Sequence, residues 1–423
     1  MSVAIPVWLL ALFILTIAAL LLILWSVKRR KRPRLGLQEE ADLHDLVPSI
    51  AGLTQGTLVE GNHVTLHHNG AFWDAVFEDL ARAKETINVE TFLSKEGELT
   101  RRMVDILSQK AREGVEVRLM LDGSGGKKFG DEGLRRLEEA GVKVRKYHEL
   151  KLRNLGVINN RDHRKIIVID GRIGFVGGHC LTDDWCGDAQ DKKHFRDISA
   201  RAEGPVVAQL QSAFSENWIE ETGEVLGGEH FFPKVERAGE MKGHVVWVSP
   251  SGSPSSVKLL HYMAIHAAKK SITIQNPYFL PDPGALDALV DAVKRGVEVR
   301  VMIPSTEASD AKYVQHASHH RYGMLLEGGV RLFDYERTLL HQKVMVIDGC
   351  WASVGSTNFD DRSFELNDEV SLVVYDEGFA AELEGEFERD LEHAREVDPA
   401  QWGHRSLWHR AIDLGAFLFN EQL

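Results

Sequence analysis

The sequence contains one pattern twice, and this duplication constrains the fold more than any other feature of the chain. The first copy spans residues 163–171 (HRKIIVIDG) and the second spans residues 341–349 (HQKVMVIDG). In each copy a His and a Lys lie two residues apart, so on an extended strand both side chains point to the same face. The apolar run that follows predicts a buried strand, and Asp-Gly is a favoured two-residue hairpin turn.

Segments outside this pattern repeat in the same order. Residues 83–89 (AKETINV) correspond to residues 268–274 (AKKSITI), and GVEVR recurs letter for letter at residues 114–118 and 296–300. Segments with helical periodicity alternate with segments that have strand character. We therefore expect an α/β fold made by tandem duplication of one unit, with the boundary inside residues 220–243.

A long apolar segment precedes the duplicated part. Residues 3–27 carry no charge, and a helix of that length would reach about 37 Å, enough for the roughly 30 Å apolar core of a bilayer. Basic residues follow only on its C-terminal side, at residues 28–34, so the positive-inside rule predicts a cytoplasmic body. A cleaved signal peptide would need basic residues before a shorter apolar run. We favour a single-pass membrane anchor, in the inner membrane if the source is bacterial.

Together these features predict five segments. They are an N-terminal transmembrane anchor (residues 1–27), a basic and polar linker (28–54), a first unit (55–225), a second unit (243–395) and a C-terminal tail (396–423). The basic run fits both a topology signal and a contact with anionic lipid. The tail mixes aromatic and apolar residues with arginines, which fits an interfacial amphipathic helix and packing on the second unit equally well.

Composition limits the ligand class. Asp and Glu outnumber Lys and Arg by 63 to 50, a formal charge of −13. Nucleic-acid binding is driven by neutralising phosphates, so we expect no nucleic-acid partner. The three cysteines form no metal-like cluster, and their odd number disfavours a disulfide framework.

After the Asp-Gly turn each copy continues into a second strand, which ends in Gly177-Gly178 or in Gly355-Ser356. The complete pattern, H-x-K-x4-D-x6-G-(G/S), resembles the phospholipase D superfamily, and the resemblance covers roughly residues 55–395. It implies two sandwich domains related by a pseudo-two-fold axis that share one active site, with one HxK pair from each. Such a site is complete within one chain, so no oligomer is required. Two lysines at one phosphate supply the positive charge, so no metal or other cofactor is expected.

The resemblance also assigns roles. His163 is the expected nucleophile, which forms a phosphohistidine, and His341 is the expected general acid and then base. Asp197 and Glu369, on the strands after each hairpin, would orient the two imidazoles. The expected phosphate-binding residues are Lys165, Lys343, Asn358, Ser356, Gly177 and Gly178.

Four motif positions carry further expectations. Asp170 and Asp348 complete the two catalytic motifs, but each opens an Asp-Gly turn, and we interpret them as structural residues that pin the hairpin. Cys180 stands where the family pattern has Asn. A thiol is a weak hydrogen-bond donor, so the first half's share of phosphate binding is expected to be reduced, or His179 to substitute.

One group of histidines is interpreted differently. His316, His319 and His320 lie at helical spacing and superficially resemble metal ligands. Because the expected chemistry needs no metal, we interpret them as a solvated helix face or one at the edge of the site.

Residues after the second motif narrow the resemblance. Residues 358–369 (NFDDRSFELNDE) are similar to the pattern N-F-D-x-R-S-F-x-L-N-x-E of cardiolipin synthases, and residues 277–282 (PYFLPD) agree. The implied reaction moves a phosphatidyl group from one phosphatidylglycerol to a second, with phosphatidylglycerol, other phospholipids and the lipid bilayer as partners. The alternatives are a phospholipase D-type hydrolase, another phosphatidyltransferase, a nuclease, which the negative charge and the anchor disfavour, and a non-catalytic membrane scaffold.

Overall fold

The computed structural model describes residues 6–28, 35, 43–149, 159–250 and 255–417. The chain divides into two units, Met1–Gly36 and Leu37–Leu423, which are described separately. The helices are α1 (Val7–Lys28), α2 (Leu43–Leu53), α3 (Ala71–Arg82), α4 (Glu98–Arg112), α5 (Asp131–Glu139), α6 (Val207–Thr222), α7 (Ser256–Ala267), α8 (Pro283–Lys294), α9 (Lys312–Glu327), α10 (Asp361–Glu365), α11 (Glu377–Leu391), α12 (Pro399–Gly403) and α13 (Leu407–Phe417). The strands are β1 (Val59–His68), β2 (Thr86–Thr91), β3 (Glu116–Asp122), β4 (Lys143–Tyr147), β5 (Ile166–Ile169), β6 (Ile173–Gly177), β7 (Ile198–Glu203), β8 (Met241–Val248), β9 (Ser271–Gln275), β10 (Glu298–Pro304), β11 (Arg331–Tyr335), β12 (Val344–Ile347), β13 (Trp351–Gly355), β14 (Glu369–Tyr375) and β15 (Ala394–Glu396).

Helix α1 accounts for the described residues of the first unit, apart from Pro6 and Leu35. It forms where the uncharged segment predicts a helix, and large apolar side chains such as Trp8 and Phe13 are exposed along it. No helix in the described part of the chain is long and apolar enough to cross a membrane. Of the basic run, residues 29–34 lie outside the described residues.

The second unit contains one sheet of fifteen strands in the order β15-β11-β10-β9-β12-β13-β14-β8-β1-β7-β6-β5-β2-β3-β4. Read outward from the junction of β8 with β1, the first seven strands of each half follow the same order, and β15 is an eighth strand at the edge of the second half. Each half contains three adjacent parallel strands, which are β2, β3 and β4 in the first half and β9, β10 and β11 in the second. The hairpins β5–β6 and β12–β13 are antiparallel. This order agrees with the predicted tandem duplication. Residues 223–240, within the stretch where the boundary is predicted, have no helix or strand.

Apolar side chains on β5 explain how the two halves pack. Ile167 and Ile169 face a core that also contains side chains of α3, α4 and α5. Ile166 and Val168 face a second core, which they share with Val346 and other residues of β12, β13 and β14. Burying each such side chain contributes about 1.5–3 kcal/mol. The hairpin strands are therefore buried on both faces, and the second face joins the two halves.

Asp170 and Asp348 occupy the hairpin turns, as the structural interpretation expects. Both residues have positive φ, +52° and +54°. The Asp170 carboxylate accepts hydrogen bonds from the amides of residues 84–86, and the Asp348 carboxylate accepts them from the amides of residues 269–271. The four-residue strand after each HxK, about 13 Å long, separates these carboxylates from the His-Lys pairs. They hold the turn against the start of the neighbouring strand.

The linker prediction is wrong for residues 43–53. These residues form α2, whose buried face carries Leu43, Val47 and Ile50, and Leu43 and Ile50 join the core of the second half beside Val257 and Leu260. The apolar spacing i, i+4, i+7 was the available signal. Pro48 lies inside this helix and obscured it.

Candidate active site

The site residues gather at one end of the two hairpins. His163 and Lys165 directly precede β5, and residues 178–180 directly follow β6, its antiparallel partner. The second half repeats this arrangement with His341 and Lys343 before β12. All four side chains of the two HxK pairs are at most 7% exposed. Antiparallel pairing thus brings the start of one strand and the end of the next together, opposite the Asp-Gly turn.

Each imidazole is paired with a carboxylate from the other half of the chain. His163 Nδ1 lies 3.0 Å from both carboxylate oxygens of Glu369, and His341 Nδ1 lies 2.8 Å from Asp197 Oδ2. The backbone follows the same exchange, because the amide of His163 donates to the carbonyl of Asp368 and that of His341 donates to the carbonyl of Arg196. The two HxK pairs therefore belong to one site. The prediction that Asp197 and Glu369 contact the histidines agrees with this geometry, whereas the sequence did not indicate the crossing.

A carboxylate on Nδ1 fixes the tautomer of each ring, leaving Nε2 with its lone pair. Burial lowers the pKa of His163 well below its usual value, and Lys165 and Lys343 add to this effect. Burial and Lys343 lower the pKa of His341 to about 4. Burial also lowers the pKa of Lys343, to about 7, and Lys165 contributes. Without substrate, both imidazoles are therefore neutral at pH 7.

The two orienting carboxylates differ. Burial raises the pKa of Glu369 to about 7, although Lys165 and the hydroxyl of Ser356 oppose the change. Burial alone would also raise the pKa of Asp197, but His179, His341 and Lys343 outweigh it and the pKa lies below the ordinary value. At pH 7 Asp197 is therefore ionised beside His341, whereas Glu369, with a pKa of about 7, is only partly ionised beside His163.

Small residues and one indole hold these carboxylates in place. Ser356 Oγ donates to Glu369. Gly178 occupies the equivalent position in the first half, where a Cβ atom would lie 2.5 Å from Asp197 Oδ1. Instead, Trp185 Nε1 donates to Asp197 Oδ2 at 2.7 Å, and the Trp185 ring packs edge-on against His341 with centroids 4.9 Å apart. In the substrate-free structure, Ser356 thus donates a hydrogen bond to one carboxylate, and Gly178 leaves room for the other.

Close backbone approach also explains Gly177. A Cβ atom there would lie 1.9 Å from Ser199 Oγ on the neighbouring strand. Asn358, in contrast, is only 6% exposed, and its Oδ1 has no hydrogen-bond partner among the described residues. Asn358 is the predicted phosphate-binding side chain that remains free to accept a new partner.

The suggestion that His179 substitutes for the missing Asn is wrong. His179 Nδ1 lies 2.7 Å from Ser199 Oγ and Nε2 lies 2.8 Å from the carbonyl of Asn69, so both ring nitrogens are occupied. The ring also stacks on Phe72. Cys180 is buried, and although Lys165 and Lys343 oppose the shift, burial raises the pKa of its thiol. Cys180 therefore stays a neutral thiol beside the two lysines.

The middle residues of the two HxK motifs were not identified from the sequence, and they hold each motif in place from the opposite face of the strand. Arg164 is fully buried and binds the Ala213 carbonyl and Glu216, each at 2.6 Å. At the equivalent position, Gln342 donates to Asp390 at 3.0 Å. A signal existed, because the residue between His and Lys must point to the opposite face of the strand. Trp185, in a short 3-10 turn after β6, had no comparable signal.

The histidines of α9 are not simply a solvated face. His316 Nδ1 lies 2.9 Å from Asp413 Oδ1, and His319 Nδ1 lies 3.7 Å from the same oxygen. Asp413 belongs to α13, so the described part of the predicted tail packs on the second half. Residues 418–423 of the tail lie outside the described residues.

Two hairpin-borne HxK pairs that share one buried site define a phospholipase D-like protein. Within that class, the chain belongs to the family described as "Cardiolipin synthase, PLD-like domain", whose sequence model matches residues 76–218 and 262–391.

Curated relatives and solved structures agree with this assignment. The chain is 35% identical over 352 residues to "Cardiolipin synthase 2" of Bacillus anthracis, covering 82% of this chain and 68% of the relative. It is 35% identical over 339 residues to "Cardiolipin synthase" of Staphylococcus aureus, covering 79% and 68%. A crystal structure of phosphatidylserine synthase from Haemophilus influenzae superposes with a TM-score of 0.67 at 12% identity, covering 90% of this chain and 100% of the other. That structural similarity concerns the fold.

Proposed function

We propose that the chain is a cardiolipin synthase that transfers a phosphatidyl group between two phosphatidylglycerol molecules through a phosphohistidine and releases glycerol. The observation that carries the proposal is the crossed pairing of His163 with Glu369 and of His341 with Asp197. This pairing supports two imidazoles that carry their lone pair on Nε2, beside two lysines, which is what double displacement at a phosphodiester requires. Lys343 Nζ, 2.9 Å from Nε2 of His341, would move to the phosphate when the substrate binds.

In the first step, Lys165 and Lys343 hold the phosphodiester and Nε2 of His163 attacks phosphorus. The N–P bond forms, the bond from phosphorus to the glycerol oxygen breaks, and His341 donates a proton to that oxygen. Glu369 stabilises the charge that develops on His163. Both lysines are buried beside the histidines, where Lys165 Nζ donates to the carbonyl of His163 at 2.6 Å and Lys343 Nζ donates to that of His341 at 2.5 Å. They neutralise the phosphoryl oxygens when the substrate binds between them.

In the second step, the hydroxyl of another phosphatidylglycerol replaces glycerol. His341 removes the hydroxyl proton, the oxygen attacks phosphorus, and the N–P bond to His163 breaks. The products are cardiolipin and a protonated His341, ready for the next cycle. Water in place of the lipid hydroxyl would give phosphatidic acid, so the balance of products measures how well water is excluded.

The unequal carboxylates support His163 as the nucleophile. His341 must carry a proton to act as the acid, and ionised Asp197 stabilises an imidazolium better than Glu369 does. The bound phosphodiester adds negative charge, which raises the pKa of His341 from its substrate-free value of about 4. His163 stays neutral, as a nucleophile must.

Asn358 is proposed to donate its amide to a phosphoryl oxygen. Its position just after the second hairpin and its burial support this role, and the donor would be Nδ2, since Oδ1 only accepts hydrogen bonds. Ser356, Gly177 and Gly178 contribute by allowing the strand ends and the carboxylates to approach closely.

The N-terminal unit is proposed to anchor the enzyme in the membrane that contains its substrates, with the second unit on the cytoplasmic side. The uncharged sequence of residues 3–27, the exposed apolar side chains of α1 and the basic residues 28–34 support this. The substrate and the product are both lipids, so an anchored site would meet them without extracting them from the bilayer.

Lipid mass spectrometry tests the proposal. The purified protein is incubated with phosphatidylglycerol vesicles, alongside His163→Ala and a control, His409→Ala, on the exposed surface of α13. Cardiolipin and glycerol in equal amounts are expected from the wild type and the control and not from His163→Ala. Phosphatidic acid without cardiolipin would identify a hydrolase, and turnover by His163→Ala equal to that of the wild type would contradict the proposed nucleophile.

A further inference from the structure

We infer that His316, His319 and Asp413 form a binding site for a divalent transition-metal ion, zinc by its donor set, that fastens the C-terminal helix α13 to α9. The inference does not depend on the proposed phosphatidyl-transfer mechanism, which has no metal step.

The geometry brings three donor atoms together from two helices. His316 and His319 are three residues apart on α9 and share one face of that helix. Asp413 approaches from α13, and one donor atom from each of the three residues lies within 4.8 Å of the others. Within the described residues, this is the one group of three or more His, Cys, Asp and Glu side chains placed in this way.

The distances suit zinc. Bonds of about 2.0–2.1 Å in a tetrahedral site place the donor atoms about 3.4 Å apart. The distances from Asp413 Oδ1 to His316 Nδ1 and His319 Nδ1 are 2.9 and 3.7 Å, on either side of that value. Two imidazoles and one carboxylate also leave a fourth position for water, as in three-ligand zinc sites. His316 Nδ1 and Asp413 Oδ1 are hydrogen-bonded in the structure, so the ion would replace that bond.

Arg405 prepares the carboxylate for this role. Its Nη1 lies 2.7 Å from Asp413 Oδ2, which leaves Oδ1 directed at the two histidines. Asp413 itself is only 3% exposed, and partners that hold a ligating carboxylate in this way are typical of metal sites.

The three donor residues lie beside a cavity, and aromatic and arginine side chains pack around them. A cavity of about 430 Å³ is lined by His319, Trp402, Arg405 and Asp413, among others. The indole of Trp402 packs edge-on against His319 with centroids 5.1 Å apart, and the Arg405 guanidinium lies 3.5 Å from the centre of the Trp402 ring. The metal would thus connect α9 and α13, with Trp402 of α12 packed against one of its ligands.

The test uses the full-length protein, purified without a polyhistidine tag, stripped with a chelator and titrated with Zn²⁺ against a competing chromophoric chelator. The variants are His316→Gln, His319→Gln and Asp413→Asn. The matched control is His320→Gln, which changes the adjacent histidine, whose ring stacks on Phe417.

The wild type and His320→Gln are expected to bind one Zn²⁺ per chain with the same affinity. Each of the three ligand variants is expected to bind at least about 100-fold more weakly, a larger loss than outer-shell changes cause. A wild type that binds no Zn²⁺ in the micromolar range, or ligand variants that match the wild type, would overturn the inference. So would an equal loss in His320→Gln.

X-ray absorption spectroscopy of the zinc-loaded wild type gives a result that does not depend on whether the variants fold. Two imidazole ligands with oxygen in the remaining positions are expected. Sulfur ligation, or a single imidazole, would place the zinc elsewhere and overturn the inference.

Discussion

At the residue scale, the two halves of the site use different means to the same end. Ser356 holds Glu369 in the second half, whereas the first half has Gly178 and uses the indole of Trp185 to hold Asp197. The sequence predicted both carboxylates, because they follow the duplicated hairpins. It did not indicate Trp185 or the occupied ring of His179, since both depend on contacts between residues that the repeat does not match. The difference between Gly178 and Ser356 is thus compensated within the structure by Trp185.

Trp185→Phe tests this compensation. The ring against His341 is kept and the hydrogen bond to Asp197 is lost. A hydrogen bond to a charged group contributes about 1.5–3 kcal/mol, so kcat is expected to fall by roughly 10- to 100-fold, with KM nearly unchanged. Steady-state kinetics on phosphatidylglycerol provide the measurement. Wild-type kcat would show that Trp185 does not position Asp197.

Gly178→Ser tests the space that Asp197 requires. The new Cβ atom would lie 2.5 Å from Asp197 Oδ1, so the carboxylate must move away from His341. We expect at least about a 100-fold loss of kcat, the low end of what general acid–base catalysis contributes. The control is Gly227→Ser, where nothing lies within 4 Å of the added atom. Equal activity of the two variants would contradict the expected displacement.

The buried imidazole of His261 predicts how the stability of the folded protein changes with pH. Burial lowers the pKa of His261 to about 4 in the folded protein, below its unfolded value of 6.5. Between those two pH values the unfolded chain binds more protons, so the stability that this residue contributes is present above pH 6.5 and is lost as the pH falls towards 4. The full loss is about 3 kcal/mol. Urea unfolding of wild type and His261→Gln at pH 7 and pH 5 is expected to show a weaker pH dependence in the variant, and identical dependence would contradict this assignment.

At the scale of elements, the sequence predicted the hairpins best. Alternation of side chains, the apolar run and the Asp-Gly turn are local signals, so β5–β6 and β12–β13 form where they are expected. The crossed pairing of His163 with Glu369 depends on how the two halves pack, and no local pattern encodes it. Helix α2 was missed because Pro48 lies inside it and obscured the helical pattern. The contact between Asp413 and the α9 histidines was missed because it joins distant parts of the chain.

The Asp-Gly turns give a prediction at this scale. Asp170→Ala removes the acceptor for three backbone amides, and the expected loss of stability is about 1–3 kcal/mol. The HxK end of the strand is untouched, so kcat well below the melting temperature is expected to stay within about twofold of the wild type. Thermal unfolding and kinetics, with Asp348→Ala as the matched variant, separate the two effects. A large loss of kcat without a loss of stability would show that Asp170 takes part in the chemistry.

At the scale of the whole molecule, duplication gives two equivalent strand orders that meet at β1 and β8, and a shared core joins the hairpins. Because each half supplies the carboxylate for the other half's histidine, neither half contains a complete site. In the proposed mechanism, two copies of one motif would then carry out the two displacements at a single phosphate.

Direct observation of the covalent intermediate tests the central claim. The wild-type protein is mixed with phosphatidylglycerol, quenched at alkaline pH within the first turnover, digested and analysed by peptide mass spectrometry. A phosphatidyl group is expected on His163, absent from His163→Ala and longer-lived in His341→Ala, which lacks the base for the second step. A phosphatidyl group on His341, or none on either histidine during active turnover, would contradict the account.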